Sequence, residues 1–271
     1  MQLELAQIPV QDGSVDVNLD RILKAIADSK PDTELLLFPE AALTGFPTPK
    51  TVKDVAEALD GSAMSRVRDA ARAKSVGVAM GLAENDGGRF FNTTVLIDSS
   101  GETKLTYRKT HMWPAEVDMF EPGNRFDICE YNGMKVGILI CYDIEFPETG
   151  RSVASLGADL LLVTAANMDP YGPVHRRAVV ARAMENQVFA AYVNRTGRAN
   201  SQLNFVGESA VINPFGDVIC ETGLAPTLLS ASVDLAGIED ARRNYSYLKD
   251  ARISLDLSDV SEDQMSRTIR N

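Results

Sequence analysis

The 271-residue chain predicts a layered α/β domain with mixed sheets. Three observations carry this: short apolar runs of strand length alternate with segments of helical periodicity, two of those runs are continuous enough to be buried on both faces, and hairpin signals interrupt the alternation. Leu3 to Ile8 reads as the opening strand. Leu19, Ile22, Leu23 and Ile26 then share one face at a 3.6-residue period, with Asn18 or Asp16 as the expected cap and Pro31 as the stop. Leu35 to Phe38 is a buried strand that Pro39 ends, so Glu40 lies just past it.

A helix over Met64 to Ala73 leads into an inner strand from Val76 to Leu82. Thr93 to Ile97 and Thr103 to Tyr107, joined by Asp98-Ser99-Ser100-Gly101, form an expected hairpin, and Lys109 follows at once. After a loop with Pro114, Pro122 and Gly123, Lys135 to Ile140 is a second fully buried strand, ending at Cys141. Gly150 to Gly157 is expected to be a helix, Asp159 to Thr164 a strand, Arg176 to Gln187 a helix and Val188 to Asn194 a strand, before two hairpin-like pairs that reach Val233. No interior stretch is rich in Pro, Gly and Ser and no repeat is visible, so residues 1–257 are expected to form one domain and residues 258–271 a polar arm.

Charge narrows the partners. With 27 Lys and Arg against 38 Asp and Glu, the formal charge is −11. That disfavours nucleic acid, whose phosphates need clustered cations, and anionic membrane surfaces. No apolar run approaches the ~20 residues that span a bilayer, and the start Met1-Gln2-Leu3-Glu4 lacks the pattern of a signal peptide, so a cytoplasmic protein is expected. Cys129, Cys141 and Cys220 are odd in number and have no C-x-x-C spacing, which predicts free thiols.

Common sites are absent by inspection: no G-x-S-x-G elbow, no phosphate-binding loop, no dinucleotide fingerprint and no H-x-x-x-H. No metal or organic cofactor is expected. A lone histidine is more often structural, and His175 is read that way. What remains is a carboxylate, an ammonium and a thiol, each at a strand end: Glu40, Lys109 and Cys141. Ends that face one rim of a sheet converge. A thiol needs a cation to stabilise its thiolate or a base to take its proton, and Lys109 supplies the first while Glu40 supplies the second. Addition of the sulfur to an amide carbonyl forms an oxyanion, for which the ammonium and the backbone N–H of Tyr142 are the expected donors.

The segments FPEAALTGF (Phe38 to Phe46), YRKTH (Tyr107 to His111), EVDMFEPG (Glu116 to Gly123), VGILICYDIEFPE (Val136 to Glu148), ARAMENQVF (Ala181 to Phe189) and VNRTG (Val193 to Gly197) resemble the nitrilase superfamily of carbon–nitrogen hydrolases. The likeness covers nearly the whole chain in order. It implies a four-layer α-β-β-α sandwich, a triad falling on Glu40, Lys109 and Cys141, and a second acid, Glu116, that positions Lys109. It also implies a homodimer or larger homo-oligomer.

Within that resemblance Glu145 is the informative position. Branches that hydrolyse N-carbamoyl amino acids or ω-amides carry an arginine near this point, which grips a substrate carboxylate. Glu145 would repel such a substrate and accept the ammonium of an amine-bearing amide, or else it belongs to the catalytic scaffold. CYDIEFPE together with TAANMDPY (Thr164 to Tyr171) looks most like 5-aminopentanamidase and related aliphatic or R-stereoselective amidases. The expected activity is release of ammonia from a small primary amide through a thioester on Cys141. N-carbamoyl amine hydrolysis, nitrile hydrolysis on the same triad and a silent interaction module are the rivals. Phe46, Trp113, Tyr142, Met168 and Tyr171 are expected either to line the pocket or to pack.

Overall fold

The computed structural model describes residues 1–199, 203–253, 261–262 and 267–268. Two six-stranded sheets form its centre. The first contains β1 (Gln2–Gln7), β2 (Leu35–Leu37), β3 (Gly77–Asp86), β4 (Arg89–Ile97) and β5 (Thr103–Arg108), and its far edge is a late strand. The second contains β6 (Ile128–Tyr131), β7 (Met134–Ile140), β8 (Leu160–Ala165) and β9 (Phe189–Asn194). β10 (Thr196–Ala199) and β11 (Leu203–Val206) pair with each other, β12 (Ala210–Ile212) and β13 (Val218–Glu221) complete the second sheet, and β14 (Thr227–Ser232) returns to the edge of the first. The orders are β14-β1-β2-β3-β4-β5 and β13-β12-β9-β8-β7-β6. Each has three parallel strands at its centre and antiparallel strands outside them.

The helices are α1 (Val15–Asp28), the short α2 (Val52–Val55), α3 (Ser62–Lys74), α4 (Pro147–Ser155), α5 (Gly172–Asn186), α6 (Leu235–Arg242) and the short α7 (Tyr247–Asp250). Strand periodicity assigns them to layers. Leu35 and Leu37 point into the core between the sheets, against Val136, Ile138 and Leu162 of the second sheet. Leu36 points the other way, into a core with Leu19, Ile22 and Ile26 of α1 and Met64 and Val67 of α3. On the opposite side Leu139, Leu161 and Val163 pack with Val153 of α4 and Val179 and Ala183 of α5. The four layers α-β-β-α follow, and they explain why the two continuous apolar runs are buried on both faces.

The departures from expectation are local. α1 starts at Val15, so Asp16 and Asn18 lie inside it and neither caps it; instead Asn18 accepts from the Gln11 N–H and donates to the Gln11 carbonyl, at 2.8 and 2.7 Å. α4 and α5 begin earlier than expected, because Pro147 and Pro173 sit in their first turns, where proline's missing N–H is not needed. β3 and β4 form one long hairpin around Gly87-Gly88 rather than two short strands. The expected polar arm falls largely outside the described residues; within it Ser261–Glu262 pairs with Arg267–Thr268. Among the described residues no helix is long and apolar enough to cross a membrane.

Candidate active site

Glu40, Lys109 and Cys141 do stand at strand ends, but on two sheets. β2 runs parallel to β3, and β5, twice reversed through β4, runs the same way, so Glu40 and Lys109 emerge at one rim of the first sheet. Cys141 emerges at the end of β7 in the second, and the sheets touch nearby, where the Thr94 and Thr164 hydroxyls lie 2.8 Å apart. Both rims open into a cleft of about 280 Å³. Glu40, Lys109, Cys141, Glu116, Tyr142, Glu145, Trp113, Phe46, Met168 and Tyr171 all line it.

The Glu40 turn is strapped to β3. Phe38 N–H donates to Ala79 O, and Leu43 N–H to Gly81 O. Gly81 permits this approach: a Cβ there would stand 2.5 Å from Ala41 N and 2.8 Å from Glu40 Cα. Gly81→Ala is therefore expected to displace Glu40, lowering stability by about 1–3 kcal/mol and kcat by about 10²-fold, the scale of an ångström-sized misplacement. Thermal melts and steady-state kinetics on the purified variant check both.

Lys109 is fully buried between two carboxylates. Its Nζ donates to Glu40 Oε1 at 2.8 Å and to Glu116 Oε2 at 2.6 Å, which leaves one of its three protons without an acceptor among the described residues. Asn92, on β4, spends both amide protons on the same pair, reaching Glu40 Oε1 at 2.8 Å and Glu116 Oε1 at 2.7 Å. Glu116 Oε2 also accepts from the Trp113 N–H at 2.8 Å. Glu116 thus has both oxygens engaged, whereas Glu40 Oε2 is buried with no partner among the described residues.

These contacts decide the proton positions. Burial alone would lower the Lys109 ammonium, but the charges of Glu40 and Glu116 outweigh it and the group is held above its ordinary range. Burial, with the charge of Glu40 added, raises the Glu116 carboxyl despite Lys109. Burial and the Glu40 carboxylate also push the Cys141 thiol well up, and the opposing pull of Lys109 does not compensate. Two carboxylates around one ammonium leave the local charge negative, which adds to burial in holding the thiol above its ordinary range.

Cys141 takes φ of +47°, in the left-handed region, and opens a 3-10 turn through Glu145. Strain of this kind survives only where surroundings hold it. Here Asp143, fully buried, holds it. Its carboxylate accepts from Ile140 N–H at 3.2 Å, the Tyr107 hydroxyl at 2.9 Å, the Thr110 hydroxyl at 2.8 Å and the His111 N–H at 2.9 Å. One carboxylate therefore ties the chain on both sides of Lys109 to the turn that carries Cys141.

The cleft walls are mostly apolar. Trp113 meets Tyr142 and Tyr171 edge-on at 5.3 Å each, and Phe46 and Met168 pack with Phe205. Glu145 and Asp12 are the further acids on the walls. Asp12 is bound by Arg195 at 2.8 Å, while Glu145 lies 3.3 Å from His175 Nε2. Asn92, Asp143 and Asp12 were not singled out by the sequence reading. His175, read as structural, is indeed buried, yet it also faces the cleft. Cys129 and Cys220 are half-buried free thiols that pack against the inter-sheet core. Among the described residues no group of three or more His, Cys, Asp or Glu is placed to hold a metal.

Fold and cleft together define a class: an α-β-β-α sandwich whose two sheet rims bring one thiol against a lysine bracketed by carboxylates. The carbon-nitrogen hydrolase family model matches residues 3–243, and the chain belongs to that family, the hydrolases of carbon–nitrogen bonds. It is 48% identical over 255 residues to an (R)-stereoselective amidase of Pseudomonas sp., covering 94% of this chain and 93% of that one. The crystal structure of an amidase from Nesterenkonia sp. matches with a TM-score of 0.84 at 32% identity, covering 93% of each chain. A Glu-to-Gln mutant of the amidase from Nesterenkonia sp. AN1 matches at 0.82 and 31% identity, covering 93% of this chain and 94% of that one; it carries the acetamide moiety of fluoroacetamide covalently added at its active-site cysteine.

Proposed function

We propose that this protein hydrolyses a small aliphatic primary amide to a carboxylic acid and ammonia, with Cys141 as nucleophile, Glu40 as general base and acid, Lys109 as oxyanion donor and Glu116 as the residue that positions Lys109. The observation that carries the reading is Glu40 Oε2, buried with no partner among the described residues in the cleft that Cys141 also lines. Oε2 takes the thiol proton as Sγ bonds to the amide carbon. The oxyanion is met by the remaining Lys109 proton and the Tyr142 N–H. Glu40 passes the proton to the nitrogen, the C–N bond breaks and ammonia leaves a thioester. Glu40 then deprotonates a water, whose attack releases the acid and returns the proton to Cys141. The amidase relatives and the cysteine adduct in the Nesterenkonia enzyme support an acyl-enzyme route.

The acyl part we assign is short and carries an amino group. A cleft of about 280 Å³ suits a small molecule, and Glu145 presents a carboxylate on a wall where Lys109 is already paired with Glu40 and Glu116, and Asp12 with Arg195. Ammonia release from 5-aminopentanamide, hexanamide and glutaramate tests this. The amine-bearing amide is expected to be preferred over hexanamide, and Glu145→Gln to reduce that preference about tenfold, the worth of a hydrogen bond to a charged group. A preference for glutaramate would sink the role of Glu145. Release of carbon dioxide with ammonia from N-carbamoylputrescine, or turnover of a nitrile in place of its amide, would reassign the bond that is cleaved.

The reading includes residues 1–257 as one hydrolase domain, a cytoplasmic setting and a homo-oligomer. Three free thiols suit a reducing compartment. Leu156, Val174, Met184 and Phe215 expose apolar surface on the α4–α5 side, which supports pairing through that face; light scattering in solution reads the oligomer number.

A further inference from the structure

His175 lines the cleft yet has no part in the chemistry above. It stands in the first turn of α5 and is only 2% exposed. Nε2 lies 3.3 Å from Glu145 Oε1, and Nδ1 lies 3.1 Å from the Tyr192 hydroxyl. A ring lone pair facing a carboxylate oxygen would be repelled, so the tautomer with the proton on Nε2 suits the site, and its Nδ1 accepts from the Tyr192 hydroxyl. The Tyr192 ring also meets the imidazole edge-on, at 5.7 Å between centroids. Tyr192 in turn contacts Asn167, whose own N–H and amide are tied to Asn194 and to the Tyr171 carbonyl. The imidazole is clamped on one side by Tyr192 and lies within ion-pair distance of Glu145 on the other, at 3.3 Å.

Glu145 is otherwise loosely held. Its side chain is 27% exposed, and among the described residues His175 is the one cation-forming group within 4 Å of its carboxylate. A carboxylate that kept its full rotamer freedom would lose it on gripping a substrate, which weakens binding.

We propose that His175 is a specificity-determining positioning residue: it engages Glu145 Oε1 so that the carboxylate is held at the cleft wall, with Oε2 left to accept the ammonium of an amine-bearing amide. This rests on the reading of Glu145 given above. The readout is the ratio of kcat/KM for 5-aminopentanamide to that for hexanamide, in which a methyl group replaces the ammonium. His175→Phe is expected to lower the ratio about tenfold, through KM of the amine-bearing amide rather than its kcat. His175→Gln, whose amide N–H reaches toward the Nε2 position, is expected to restore most of it. An unchanged ratio in His175→Phe, including a parallel loss for both amides, overturns the proposal if Glu145→Gln does lower the ratio. An unchanged ratio in Glu145→Gln overturns the underlying reading instead. Should His175→Phe fail to fold, Tyr192→Phe removes the donor at Nδ1 and is expected to lower the ratio in the same sense; no change there overturns the proposal.

Discussion

Cys141→Ala is expected to reduce amide turnover by about 10⁵-fold or more, because Cys141 is the one thiol among the described residues that line the cleft. The fold should survive. The substitution removes one sulfur atom and leaves the same left-handed backbone, φ +47°, on a residue that also has a Cβ. The contacts that hold the turn belong to Asp143 and are untouched. The melting temperature is therefore expected to stay within a few degrees of the parent, and calorimetric titration should still detect amide binding. Loss of both binding and folding would move Cys141 from chemistry to structure.

Glu40→Gln is the second large effect, and it has two signatures of opposite sign. The amide keeps the shape of the carboxylate, and its oxygen can still accept from Lys109 and Asn92 at the place of Oε1. Without a base at Oε2, kcat is expected to fall by about 10³-fold, within the usual range for a lost general base. Removing the Glu40 charge also removes a cause that raises the thiol, leaving the pull of Lys109 less opposed. The Cys141 thiol therefore titrates lower in the variant, and its alkylation by iodoacetamide should move to lower pH while hydrolysis collapses. Alkylation that moved to higher pH, or hydrolysis that persisted, would contradict the role given to Glu40.

The layers were legible because a strand buried on both faces has to be apolar at every position, and Leu35 to Phe38 and Lys135 to Ile140 nearly are. The same logic hid part of the site. β4 starts at Arg89, ahead of the expected Thr93, and passes through the buried Asn92, a polar side chain that reads as loop until its partners are known. Asn92 is polar because two carboxylates need its amide protons. Asp143 was passed over for a related reason: its partners from the stretches around Lys109 and Cys141 reach it only once two sheets have packed. Convergence of three reactive residues at strand ends was visible in one dimension, whereas the division between two rims was not. The charge balance was the subtler miss. Lys109 and Glu116 were both in view, but not that Lys109 is shared between two carboxylates, at 2.8 and 2.6 Å.

The central claim is a covalent thioester on Cys141 whose formation and hydrolysis both pass through Glu40. Rapid acid quench during turnover of a primary amide, followed by intact-mass measurement and peptide mapping, tests it directly. The account predicts a species heavier than the enzyme by the mass of the amide less ammonia, located on the peptide containing Cys141, present in the parent and absent in Cys141→Ala. Turnover at the parent rate in Cys141→Ala, or an acyl group mapped to another residue, would contradict it.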